Sequence, residues 1–157
     1  MKVAASVFII VLAMGSAGGR TLAADDQPDP PKPQSPDLEH GRKAIDAKDY
    51  KAAVDHLVKA AKETPKNADV HNLLGYGYRH LGQFDKSMEH YQLALSLDPN
   101  HRGAHEYIGE LYLQMDQLAN AEKQLQALRK ACPWFGRCPE HDDLKGTIER
   151  YKAKRTS

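Results

Sequence analysis

Two residues, a glycine and a proline, recur through this chain at one fixed interval. Gly41, Gly75 and Gly109 stand 34 residues apart, and so do Pro65, Pro99 and Pro133. Between them, on the same period, fall Ala53, Ser87 and Ala121, and then Leu57, Tyr91 and Leu125. A period of this length marks a repeat architecture, in which a unit too small to bury its own apolar face buries it against its neighbours. The units run 34–67, 68–101 and 102–133, so the repeat-bearing region spans 37–133 once the start of the folded part is set at Asp37.

Each unit reads as two helices. In the central one, Val70, Leu73, Leu74, Tyr78 and Leu81 fall on one face of a 3.6-residue helix. Gly82 ends that run. A second amphipathic stretch carries Phe84, Met88, Tyr91, Ala94, Leu95 and Leu97, and Asp98-Pro99 stops it because proline disfavours helical geometry in the residue before it. The expectation is an antiparallel helical hairpin, repeated. Inside each hairpin the glycine and the small residue 12 positions later predict a crossing point: Gly41 with Ala53, Gly75 with Ser87, Gly109 with Ala121. A helical glycine costs about 1 kcal/mol against alanine. Three at a fixed period therefore call for a packing reason, and close approach of two backbones supplies one.

With Leu74-Gly75, Tyr78, Ser87, Tyr91, Ala94 and Pro99 in these places, the unit resembles the tetratricopeptide repeat. The third unit is similar at Ile108-Gly109, Tyr112, Ala121, Leu125 and Pro133, and departs at Leu128, where the family usually has alanine. The first is similar at Gly41, Ala53, Leu57, Ala60 and Pro65. Its first helix is weak, with His40 and Ala44 where larger apolar residues are normal, which suits a terminal unit facing water. The resemblance implies an all-α fold: three helix-turn-helix repeats stacked as a short right-handed superhelix. It also implies a concave groove lined by the first helix of each unit. Carried over position by position, the groove residues are Leu38, Arg42 and Asp46, then Asp69, Asn72, Tyr76, Arg79 and His80, then Glu106, Glu110 and Gln114. This mixed polar set suits an extended peptide or a partner helix. The clamp by which some family members grip chaperone C-terminal carboxylates is missing, because Leu38, Arg42, Leu73, Gly103 and Tyr107 stand at its positions.

The two ends are not repeats. Lys2 precedes an apolar run over 3–14, followed by small residues to Ala24, the layout of a secretory signal peptide over 1–24. The run is short for a membrane span, which needs about 20 apolar residues. Export is therefore expected, to a bacterial periplasm, with no stable membrane span after cleavage. Residues 25–36 are proline-rich and almost without apolar side chains, an extended linker by composition. With 22 basic against 21 acidic residues the net charge is +1, and nothing in that balance marks a nucleic-acid partner.

After Pro133 comes a loop, CPWFGRC, and a last helical stretch from Pro139 to about Lys154 with Leu144, Ile148 and Tyr151 on one face; together, 134–157 are expected to form a fixed loop and a capping helix. In an exported chain, Cys132 and Cys138 read first as a structural disulfide. The alternative is a metal- or redox-handling site of Cys132, Cys138 and His141, although Zn²⁺ prefers four ligands and redox pairs prefer Cys-x-x-Cys. Trp134 and Phe135 are expected to pack under the loop, with an exposed partner contact as the other reading. This ending is similar to that of small exported bacterial tetratricopeptide proteins. His71 and His105 share one repeat position and read as partly buried packing residues. His101 and His105, four apart, offer a weak pair. No His-Glu-x-x-His, phosphate-binding glycine loop or Gly-x-Ser-x-Gly elbow occurs. The expectation is a non-enzymatic module with no catalytic residue, metal or cofactor, whose partner is a protein or peptide. Self-association through exposed repeat faces is a third reading.

Overall fold

The computed structural model describes residues 35–156; the expected signal peptide (1–24) and all but the last two residues of the expected linker (25–36) lie outside them. Seven helices occupy the described residues: α1 (Pro36–Asp46), α2 (Tyr50–Glu63), α3 (Ala68–His80), α4 (Phe84–Leu97), α5 (Arg102–Gln114), α6 (Leu118–Ala131) and α7 (Pro139–Thr156). They pair as α1–α2, α3–α4 and α5–α6 hairpins, and α7 closes the stack against α5 and α6. The fold is the all-α repeat superhelix that the period predicts. Helix α1 begins at Pro36, which had been assigned to the linker. Proline fits there because its missing N–H and fixed φ suit the first turn of a helix.

The turns inside the hairpins are copies of one another. Lys48, Gly82 and Asp116 take the left-handed conformation at the same place in each unit, with φ of 59°, 71° and 59°. The next N–H in each case reaches back to close the helix end: Asp49 to the Ala44 carbonyl, Gln83 to Tyr78 and Gln117 to Tyr112, at 2.8–2.9 Å. Only the central unit uses glycine. The junctions between hairpins are capped in register as well. Asn67 accepts from the Val70 amide to start α3, and at the matching position His101 accepts from the Ala104 amide through Nδ1 to start α5.

The glycine crossings are present. Gly41, Gly75 and Gly109 are buried and Ala53, Ser87 and Ala121 are fully so. Ser87 adds a hydrogen bond across the crossing, its Oγ donating to the Gly75 carbonyl at 2.7 Å. A Cβ on Gly41 would fall 2.6 Å from Leu57 Cγ, and one on Gly75 would fall 2.5 Å from the Tyr91 ring. Gly109 differs: its Cβ would meet Leu144 of α7, not Leu125 of its own hairpin. The last helix thus reaches into the third unit's crossing and buries Leu144 and Ile148 there.

The core is a chain of local clusters, as nearest-neighbour stacking requires. Leu38, Val54, Leu57, Val70 and Leu74 join α1, α2 and α3. Tyr91, Ile108 and Leu111 join α4 and α5. Leu113, Leu128, Leu144 and Ile148 join α5, α6 and α7, so the leucine that departs from the alanine pattern, Leu128, fills space against the closing helix. Asp116 ties that helix down from outside, accepting from the Tyr151 hydroxyl and from Arg155, each at 2.8 Å.

One further contact repeats. On each hairpin a side chain of the first helix bonds one 19 residues later on the second: Asp37 with His56, His71 with His90 and His105 with Gln124. The other imidazole nitrogen of His71 and of His105 bonds the carbonyl of Pro65 and of Pro99. Both histidines are therefore packing residues, and His71 is buried. His101 does not pair with His105. Its Nδ1 accepts from an amide, so Nε2 carries the proton and donates to Asp69 at 3.0 Å.

Candidate functional site

The concave side centres on Arg79, in the last turn of α3. Its side chain is only 5% exposed, and Nη2 meets the Glu110 carboxylate of α5 at 2.8 Å. The guanidinium also lies over two rings, 5.3 Å from the centre of Tyr76 and 5.7 Å from that of Tyr107. Such stacking suits a planar, weakly hydrated cation. Burying a charge this deeply is costly unless it is paired, and here one carboxylate and two π faces share the task.

Around it runs a strip of aromatic rings drawn from four helices. Tyr50 of α2 stacks on His80 at 4.2 Å, His80 leans on Tyr76 at 4.4 Å, and Tyr76 meets Tyr107 at 4.9 Å. Tyr107 approaches the fully buried Tyr91 at 6.3 Å. Burial raises the Tyr76 hydroxyl and takes that of Tyr107 up to about 12, so both stay protonated donors at neutral pH. Burial, then the positive Arg79, lowers the His80 imidazole, which keeps it neutral.

Glu106 on α5 completes the floor. It is 9% exposed. Burial first, and then the negative Glu110, Asp143 and Glu140, push its carboxyl up to about 8, against a smaller opposing pull from Arg79. At neutral pH Glu106 is therefore mostly a neutral acid with an O–H to donate. Arg79 Nε and Asn72 Oδ1 are buried here with no hydrogen-bond partner among the described residues.

The groove assignment can now be placed residue by residue. Tyr76, Arg79, Glu106 and Glu110 lie in one cluster, while Asn72 is buried on α3 with its side-chain amide next to Gly103 of α5. Arg42 and Asp69 form a separate pair at 3.7 Å, extended by His101. His80 joins through its ring. Gln114 is exposed and lines a neighbouring cleft of about 370 Å³ with Arg79, Glu110, Thr147, Arg150 and Lys154, so α7 is a wall of the groove as well as a cap. Leu38 is buried in the core. Asp46 is exposed at the end of α1 and joins neither cluster. Tyr50 and Tyr107 were not among the assigned residues. The signal was there for Tyr107, an aromatic at a groove-lining repeat position.

The loop at 132–138 is organised differently from expectation in one respect. Cys132 and Cys138 are paired, their Cα atoms 5.8 Å apart, which occupies both sulfurs with each other and leaves His141 beside Asp142. With both sulfurs in the disulfide, Cys132, Cys138 and His141 do not form a metal site, although all three line one cleft of about 700 Å³ with Arg129, Trp134 and Lys145. Trp134 and Phe135, expected beneath the loop, are 98% and 83% exposed, and Trp134 borders that cleft instead of filling it.

The tetratricopeptide repeat family model matches residues 68–101, the central unit. Among solved structures, the chain is similar to the first tetratricopeptide domain of Spaghetti (RPAP3) bound to an HSP90 peptide, at 18% identity, 77% of this chain, 91% of that one and a TM-score of 0.64. It is similar to the TPR2B domain of yeast Sti1 in complex with an Hsp70 peptide, at 19% identity, 73% and 94% coverage and a TM-score of 0.65. It is also similar to MamA of AMB-1, at 29% identity, 59% and 54% coverage and a TM-score of 0.54. The matched unit is thus similar to a tetratricopeptide repeat, and the solved structures share the fold of the whole stack.

Proposed function

We propose that this chain is a non-enzymatic interaction module of the bacterial cell envelope, exported by its N-terminal segment, that holds a peptide or partner helix in the concave groove. The observation that carries the reading is the strip of partly exposed rings, Tyr76 and Tyr107, gathered over the Arg79–Glu110 pair beside the neutral Glu106. A peptide matches this surface: its carbonyls suit the tyrosine and Glu106 O–H donors, its amides suit the Glu110 carboxylate, and an apolar or aromatic side chain suits the rings. Two of the fold neighbours are complexes of this kind, one with an HSP90 peptide and one with Hsp70. The chaperone-tail mode of binding does not carry over. At the clamp positions Leu38 is buried and Leu73 is packed on the core, so neither presents a polar group to a carboxylate.

The exported setting is the reading of residues 1–24 by their composition, and it agrees with the Cys132–Cys138 pairing, since disulfides persist in oxidising compartments. The test is capture from envelope extract with the parent chain and with Tyr76→Ala, a partly exposed position whose loss leaves the core clusters whole. The reading expects a partner retained by the parent and lost from the variant. Equal retention by both, with circular dichroism showing both folded, places the binding surface elsewhere.

A further inference from the structure

Alignment of the three units shows where the first departs. At the fourth, seventh and twenty-third positions the central unit has His71, Leu74 and His90, and the third has His105, Ile108 and Gln124. In both, the middle residue is a buried core side chain and the outer two form the hydrogen-bonded pair across the hairpin. The first unit has Asp37, His40 and His56. Its core position carries an exposed histidine beside the polar pair.

The result is three metal-ligating groups in one place. One ligand atom from each of Asp37, His40 and His56 lies within 4.8 Å of the other two. His56 Nδ1 donates to Asp37 Oδ1 at 2.7 Å, and the His40 and His56 rings stand edge to face with centres 5.1 Å apart. Asp37 and His40 are three residues apart on α1 and so share a face, while α2 holds His56 opposite them. Zinc bonds nitrogen and carboxylate oxygen at about 2.0–2.2 Å in a tetrahedron. Ligand atoms around such an ion sit a little over 3 Å apart, so small rotations of side chains that are partly or fully exposed bring these three together. The ion then replaces the proton that His56 and Asp37 share. Two imidazoles and one carboxylate with an open fourth position are a donor set for zinc-like divalent ions.

We propose that Asp37, His40 and His56 form a binding site for one divalent transition-metal ion of the zinc class, at the first hairpin and apart from the concave groove. The ion joins α1 to α2 across the first hairpin, with a coordination position left for a further ligand.

The test uses the untagged chain after chelator treatment, titrated with Zn²⁺ by calorimetry and with Co²⁺ by visible absorption. The parent takes up one ion per chain, and the Co²⁺ bands report imidazole coordination. The key variant is His40→Leu, which installs the residue the central unit has at this position and so leaves the fold intact. It is expected to keep or raise the melting temperature and to weaken binding by at least about tenfold, the loss that even outer-shell changes cause in metal sites. Asp37→Asn is expected to weaken binding to a similar degree. The proposal is overturned if the parent binds neither ion, or if His40→Leu binds as the parent does, the result expected of an ion held elsewhere on the chain.

Discussion

The crossing of α3 and α4 predicts opposite outcomes for one substitution at two glycines. Glycine to alanine inside a helix gains about 1 kcal/mol from propensity alone. At Gly146, on α7, the new methyl meets only the mobile end of Arg150 at 3.3 Å, so Gly146→Ala keeps most of that gain. At Gly75 the same methyl would sit 2.5 Å from Cδ1 and Cε1 of Tyr91 and 2.8 Å from its Cγ. Ordinary carbon contacts lie at about 3.5–4.0 Å, so ring and helix must separate by roughly 1 Å. The Tyr91 ring is rigid and fully buried, and the Ser87–Gly75 hydrogen bond holds the backbones where they are. Overpacking costs about 1–3 kcal/mol, and a clash with a rigid buried ring belongs at about 2–3; set against the propensity gain of about 1 kcal/mol, it leaves Gly75→Ala less stable by roughly 1–2 kcal/mol. In a domain of this size that is a fall of about 4–8 °C in melting temperature, against a rise of a few degrees for Gly146→Ala. Gly109→Ala belongs between them, because the Leu144 methyls that it meets can rotate away. Thermal melts followed by far-UV circular dichroism read all three. A Gly75→Ala chain melting at or above the parent refutes the close-approach account of the repeated glycines.

Two further outcomes follow from single residues. Glu106 is held protonated up to about pH 8 in the folded chain, whereas its ordinary value is 4.5, so the folded state binds a proton that the unfolded state lacks in that window. Stability therefore falls as pH rises from about 5 to about 9, and Glu106→Gln flattens the fall; urea melts at the two ends measure it, and equal slopes for parent and variant refute the buried-acid reading. Lys48 holds a left-handed φ of 59° at the place where the central unit has Gly82. Relief of that strain, about 1 kcal/mol, outweighs the chain entropy of the new glycine, so Lys48→Gly raises the urea midpoint slightly; a lowered midpoint counts against it.

Much of the architecture was legible because it depends on contacts inside one period. Gly75 and Ser87 meet within a single hairpin, so their spacing alone places them at a crossing. The end of the stack was less legible. Gly109 faces Leu144, a residue outside the period, because the last hairpin has no following unit and α7 takes its place. Trp134 and Phe135 read as packing residues from their type, yet both are exposed, and Trp134 borders an open cleft between the loop, α6 and α7. In the proposed groove, the position rule named Tyr76, Arg79, Glu106 and Glu110, which the structure places near one another. It passed over Tyr50, which enters from the second helix of the preceding unit and is visible only once the hairpins are stacked.

The departures within the period carry more chemical information than the period itself. At the twelfth position of the units stand Ile45, Arg79 and Leu113, and at the fifth stand Leu38, Asn72 and Glu106. Leu38 and Leu113 are buried where the fold wants an apolar side chain, and Arg79, Asn72 and Glu106 are just as buried at equivalent places. A stack that needed only stability would repeat the leucines, since a buried charge or amide contributes less to stability than the apolar side chain it displaces unless it is fully paired. Arg79 is paired through Glu110 and two tyrosine rings, and among the described residues its Nε and Asn72 Oδ1 have no hydrogen-bond partner. The same comparison isolates His40, polar and exposed where Leu74 and Ile108 are core. The glycines, small residues and prolines thus specify a scaffold that any such sequence could share. The groove and the Asp37–His40–His56 cluster lie where individual units give up an apolar residue that the scaffold would otherwise use.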